Sequence, residues 1–217
     1  RNEGYPCFSN FAELMDYQHD HFSTMNILAL DTIAAACSVA VRSNGKTVCT
    51  RRQEMNRGHA EVLIPMIRDV MLSASFGFED LNLIAATVGP GSFTGLKVGS
   101  SFSKGLAYAL NIPIVPIESF DVFRINIKDT SKYHTAIYSH KNYAFSCLHN
   151  RGTKSNYKCI DINKMNKYPI YGYGFPDKLK VKYVEIKPCS KKNGFFSIDK
   201  ISSFKNKLYI FILMIMY

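Results

Sequence analysis

From Met25 onward the chain alternates short apolar runs with polar turns, and the spacing of the apolar positions changes along it. MNILALDTIAAACSVAVRSNGKTVCTRRQ predicts one strand from Asn26 to Leu30, a second around Cys37 to Arg42 and a third through Thr47 to Arg51. Ser43-Asn44-Gly45 predicts the hairpin turn between the last two, because Asn-Gly accepts the positive φ of a tight loop. The period then becomes helical. His59, Val62, Leu63, Met66, Ile67, Val70 and Met71 recur at i, i+3, i+4, i+7, which predicts an amphipathic helix over 58–75 that Pro65 kinks or delimits in its first turn. LIAATVG reads as a buried parallel strand, a second helix starts near Ser92, and IPIVPI at 112–117 reads as another strand. The order is β-β-β-α-β-α-β.

The second helix carries apolar residues on more than one side, with Gly95, Gly99, Ser101 and Gly105 leaving notches. Glycine in a helix costs up to ~1 kcal/mol relative to alanine, so close approach of another helix is expected to exploit the missing side chains. Ahead of that helix, Gly89-Pro90-Gly91-Ser92-Phe93-Thr94-Gly95 forms a sharp turn in which Ser92 is placed to cap the helix and Gly91 is the expected positive-φ position. A glycine turn at a helix start can hold an anion. Neither nucleotide signature is met: Leu96 stands where a Walker lysine is required, and Gly89-Pro90-Gly91 is followed by Thr94, not glycine. A structural turn is the first reading and an anion site the second.

Composition fits a globular α/β chain of 217 residues with 47% hydrophobic residues. Six scattered cysteines without a C-x-x-C spacing suggest free thiols in a reducing cytoplasm. The closing LYIFILMIMY is shorter than the roughly 20 apolar residues of a membrane span, so no membrane association is expected. Charge is uneven. Residues 1–123 carry 9 Lys+Arg against 12 Asp+Glu, net −3, and residues 124–217 carry 18 against 5, net +13. Such a half attracts phosphate-rich partners such as RNA, while its abundance of Asn, Ile and Tyr equally fits a coding bias.

ILALDT, HAEVLIPMI, VGPGSFTGLKVG and GLAYALNIPIVPIESF together resemble the TsaB (YeaZ) family over about residues 25–123. The resemblance implies an actin/Hsp70-like, ribonuclease H-like α/β fold, grouped with the glycoprotease-like peptidase M22 homologues. Two similar subdomains, each with a mixed five-stranded sheet flanked by helices, are expected at 25–123 and 124–217, the second reduced. Residues 1–24 read as an upstream extension or a foreign remnant. The implied role is that of a non-catalytic partner subunit for threonylcarbamoylation of tRNA adenosine 37 (t6A). It docks on and activates the catalytic paralogue TsaD, with TsaE as an ATPase partner, ATP used by the partners, no cofactor in this chain, and tRNA met through the complex.

The residues agree with a subunit inactive alone. Actin-like ATPases place glycine after the opening Asp and a D-x-G turn in the other subdomain, but here Asp31-Thr32-Ile33-Ala34 lacks the glycine and no D-x-G follows residue 113. Glycine is what lets backbone approach a phosphate closely. Asp31 is therefore read as structural. Leu63 stands four residues past His59, so no i, i+4 histidine pair forms, and His19 and His21 fall short of a metal site. Docking is expected through His59, Leu63, Met66, Ile67, Val70, Gly95, Gly99, Phe102, Gly105 and Leu106, with a homodimer when the paralogue is missing. A stand-alone ATPase or peptidase, and a basic tRNA-binding protein, are the competing readings. Beyond 124, only the hairpin alternation of 136–148 and the glycine turn in IYGYGF at 170–175 match the family.

Overall fold

In the computed structural model, residues 25–186 are described, apart from positions 35, 56–57, 126, 128–130, 152, 166 and 180. The expectations for residues 1–24, His19, His21 and the apolar C-terminal run fall outside the described residues. Two compact units are present. Among the described residues the first runs up to Val88 and resumes over Ser92–Ile117, while the second takes Gly89–Gly91 and the chain from Glu118.

The first unit is built from β1 (Ile27–Ala34), β2 (Ala36–Ser43), β3 (Lys46–Glu54), α1 (His59–Ser73), β4 (Leu83–Gly89), α2 (Phe93–Leu110) and β5 (Ile114–Glu118), the order expected from the apolar pattern. The sheet runs β3-β2-β1-β4-β5. β1 and β2 pair antiparallel, as do β2 and β3, whereas β1 and β4 are parallel with Leu28 opposite Ile84. The predicted hairpin turn sits at Asn44 and Gly45, with φ of 46° and 74°. α1 continues through Pro65, which lies inside the helix and does not delimit its first turn.

One face of this sheet, through Leu28, Leu30, Val39, Val41, Ile84 and Ala86, forms a single core with Leu63, Ile67, Val70 and Met71 of α1 and with Val98, Phe102 and Leu106 of α2. Burial of each such aliphatic side chain contributes roughly 1.5–3 kcal/mol, which is what holds two glycine-containing helices in place. The opposite face is dry as well, with Ile27, Ala29, Leu83 and Ala85 fully buried. The rims differ from the centre. β3 is mostly exposed and carries Lys46, Arg51, Arg52 and Glu54, and β5 contains Pro116.

The second unit holds α3 (Ser119–Ile125), β6 (Tyr133–His140), β7 (Tyr143–Asn150), β8 (Thr153–Lys154), β9 (Lys158–Asp161), β10 (Ile170–Tyr173) and β11 (Val184–Glu185), with 3-10 turns at Ile162–Met165 and Asp177–Leu179. Its mixed sheet runs β11-β10-β6-β7-β8, with β9 beside β7. Among the described residues it counts six strands against five in the first unit, and β8 and β11 are only two residues long. The alternation over 136–148 is the β6–β7 hairpin, and IYGYGF supplies β10 and a turn at Gly174 with φ 78°. Its core is small: Ala136, Ala144, Ile162, Met165, Ile170 and Phe175. Lys154 reaches both Glu118 at 2.7 Å and Asp121 at 2.6 Å. Burial lowers the pKa of this ammonium, but the hydrogen bonds to Asp121 and Glu118 outweigh that and raise it.

Candidate functional site

The C-terminal end of β1 is where the glycine turn, the opening Asp and α2 converge. Asp31 is 1% exposed, and its Oδ1 accepts from the Thr87 hydroxyl at 2.7 Å and from the Ile33 N–H at 3.0 Å. A buried carboxylate without such donors would be costly, so these bonds make the side chain a brace between β1 and β4. Its charge also reaches Cys37, whose thiol is pushed up to about 11, chiefly by burial and then by Asp31. That thiol stays protonated and inert at neutral pH.

The helix start is stitched to the same strand end. Ser92 Oγ accepts from the Gly95 N–H at 3.2 Å, the cap expected from the sequence, and the Ser92 N–H donates to the Ile33 carbonyl at 3.0 Å. The Thr32 hydroxyl donates to the Gly95 carbonyl at 2.7 Å. Two amides of the turn are thus satisfied within the first unit, which favours the structural reading of GPGSFTG over an anion cradle. The left-handed position is Gly89, with φ 100°, and not Gly91. Turn chemistry alone could not tell the two glycines apart.

The small residues of α2 serve β1 rather than another helix. A Cβ added at Gly95 would land on the Thr32 carbonyl, and one added at Gly99 on the Thr32 hydroxyl. Both glycines are buried, and Ser103 follows one turn on with its hydroxyl bonded to the Gly99 carbonyl at 2.7 Å. Gly105 alone of the three has open space, with no atom within 4 Å of an added Cβ.

The expected docking residues divide accordingly. Leu63, Met66, Ile67 and Val70 are buried in the core of their own unit, Phe102 and Leu106 pack half-buried against it, and Gly95 and Gly99 press on β1. A helical apolar stripe marks the face turned to the sheet, and here the sheet consumes the whole stripe. His59 begins α1, as expected, but is 6% exposed and presents no open contact surface. The outward faces carry other residues: Ile64 at 47% exposure and Leu72 at 80% on α1, Phe93 at 69% and Tyr108 at 91% on α2. Lys97 lies over the Phe93 ring at 4.3 Å from its centroid. Ile64, Leu72 and Tyr108 lie outside the expected docking set, and Phe93 is expected only as part of the turn; all four stand off the buried stripe as large exposed apolar groups.

Among the described residues no group of three or more His, Cys, Asp or Glu side chains could hold a metal ion, and no helix is long and apolar enough to cross a membrane.

Residues 51–138 match the family described as "TsaD: tRNA N6-adenosine threonylcarbamoyltransferase". The chain is 36% identical over 96 residues to the tRNA threonylcarbamoyladenosine biosynthesis protein TsaB of Haemophilus influenzae, which covers 44% of this chain and 40% of that protein. It is 36% identical over 95 residues to TsaB of Escherichia coli, covering 44% of this chain and 41% of the relative. It therefore spans about two fifths of the length of these curated relatives. YeaZ from Pseudomonas aeruginosa superposes with a TM-score of 0.60 at 23% identity, over 69% of this chain and 75% of that one. The chain is similar to the TsaB proteins over the matched residues, and its two-sheet α/β fold is that of YeaZ.

Proposed function

We propose that this chain is a non-catalytic partner subunit in the threonylcarbamoylation of tRNA adenosine, docking on and activating a larger TsaD-type paralogue that holds the catalytic site. The observation that carries this reading is the outward sides of α1 and α2, where Ile64, Leu72, Phe93 and Tyr108 stand exposed and Gly105 leaves an open notch. Scattered exposed leucines are ordinary, but large apolar residues on two adjoining helices fit a helix-on-helix interface, in which a glycine lets the axes approach. Asp31, the residue an actin-like ATPase would direct at a phosphate, is committed to Thr87 and Ile33. A role in recognition rather than chemistry follows. The assembly would work in the cytoplasm, with a TsaE-type ATPase supplying nucleotide turnover. Without the paralogue the same face would pair two copies of the chain.

Co-expression with the paralogue from the same cell tests this. A complex should co-purify, and Phe93→Glu combined with Tyr108→Glu should reduce its recovery at least tenfold and lower t6A in tRNA hydrolysates, while leaving the thermal unfolding of the chain unchanged. Failure of the unaltered chain to pair with the paralogue, or ATP or peptide hydrolysis by the chain alone that Asp31→Ala abolishes, would overturn the proposal.

A further inference from the structure

The end of the second sheet at which β6, β10 and β11 begin and β7 finishes gathers cations around one aromatic ring. The parallel pairing of β6 with β10 sets Ile170 opposite His134, and the His134 N–H donates to the Pro169 carbonyl at 2.8 Å. That register brings the residues just ahead of the two strands side by side. Lys132 Nζ lies 5.9 Å from the Tyr168 ring centroid and Lys167 Nζ lies 5.7 Å from it, both within cation–π range, and His134 leans against the same ring at 6.0 Å. Lys132 and Lys167 are exposed, and Tyr168 is half-buried. Arg151 follows the end of β7 and Lys182 precedes β11, so both fall at this same end. Among the described residues, Glu118 and Asp121 are both held by Lys154 of β8.

We infer that Lys132, Lys167 and Tyr168 form a contact surface for single-stranded RNA, the lysines taking successive phosphates and the tyrosine ring stacking on a base. Every base has a π-face and every nucleotide a phosphate, so a basic groove with an interleaved aromatic binds single strands without sequence preference. Burial lowers the pKa of His134, so its ring is neutral at pH 7 and, with its Nδ1 2.9 Å from the Ser146 hydroxyl, steadies Tyr168 from within instead of adding charge. A bare surface of lysines would attract any polyanion. The ring between them is what selects a partner with bases. The inference deepens the proposed function, since an assembly that modifies tRNA must hold an unpaired loop, and it is tested on the chain alone so that the two can fail separately.

The experiment is fluorescence anisotropy of the full chain titrated into a labelled single-stranded oligouridylate at several salt concentrations. The unaltered chain should bind, with affinity falling steeply as salt rises. Lys132→Glu with Lys167→Glu should weaken binding at least tenfold and reduce the slope of log K against log salt by roughly 1.4, at about 0.7 per single-strand phosphate. Lys141→Glu with Lys178→Glu makes the same charge change beyond the far ends of β6 and β10 and should cost less than threefold. Tyr168→Leu should weaken binding roughly fivefold to a hundredfold at every salt concentration, as loss of one stacked base predicts, and Tyr168→Phe should restore it. Circular dichroism melts identify any variant that has unfolded, in which case Tyr168→Phe against the unaltered chain and the two lysine pairs still decide. No binding by the unaltered chain at low salt, equal losses from the two lysine pairs, or binding indifferent to Tyr168→Leu would each overturn the inference. A failed co-purification with the paralogue would leave it standing.

Discussion

The inner and outer faces of α2 carry the same residue type for opposite reasons. On the inner face Gly95 and Gly99 lie against Thr32, where a methyl group would strike backbone or hydroxyl, and the absent side chain is a condition of folding. On the outer face Gly105 meets nothing, and Tyr108 one turn on and Phe93 at the helix start stand in solvent. Smallness inside sets how closely a helix can sit on a strand. Smallness outside leaves an open notch on the helix surface. A stripe of glycines in a sequence does not distinguish the two uses, because only the direction of the neighbouring strand decides which glycines are covered.

Substitutions separate the faces, and the largest effect belongs inside. Gly95→Val should destabilise the first unit by about 3 kcal/mol or more, since the clash is with the Thr32 carbonyl and backbone cannot rotate away as a side chain can. Chemical denaturation reads it, and a loss below about 1 kcal/mol would mean that α2 can slide off β1. Next in size, Asp31→Ala should cost about 2–3 kcal/mol by orphaning the Thr87 hydroxyl and the Ile33 N–H in the same buried corner. If it lowered activity of an assembled complex while stability stayed unchanged, the brace would be a ligand contact instead.

Smaller effects test the outer face and the corner's electrostatics. Because the Cys37 thiol is pushed up to about 11 in the fold against an ordinary value near 9, its contribution to stability is complete below about pH 9. It should be lost as pH rises toward 11, at no more than about 1.4 kcal/mol per pH unit. Iodoacetamide followed by peptide mass spectrometry should label exposed Cys159 at pH 8 and leave Cys37 intact. Smallest of all, Gly105→Ala should stabilise the chain by up to ~1 kcal/mol through helix propensity alone. The same change should weaken pairing with the paralogue in the co-purification, so that stability and docking move in opposite directions.

The first unit was legible because its signals are short in range. Strand alternation through Leu28 and Leu30, the Asn44-Gly45 turn and the α1 stripe each depend on neighbours a few residues away, and each element forms where expected. What the α1 stripe packs against was not legible for the same reason. Leu63, Ile67 and Val70 announce an apolar face without saying what lies opposite, and the opposite partner is the chain's own sheet, brought there by pairings such as Leu28 with Ile84. In the second unit the small core around Met165 and Phe175 draws on the 3-10 turn Ile162–Met165 and on strands as short as Ile170–Tyr173, too brief to show a period. The Lys132–Tyr168–Lys167 cluster likewise exists only through the β6–β10 register.

The rims of the first sheet also bear on how the molecule avoids its own fibres. β3 offers an open row of backbone donors and acceptors at one edge, but the side chains along it are Lys46, Arg51, Arg52 and Glu54, with Arg51 tied down to Asp69 of α1 at 2.6 Å. β5 at the other edge has Pro116 in its middle, which contributes no N–H to an incoming strand. Charged and proline-bearing edges are poor templates for strand addition. Copies of this chain that meet edge to edge therefore gain little from zipping together, and open-ended polymerisation through the sheet is starved of a seed.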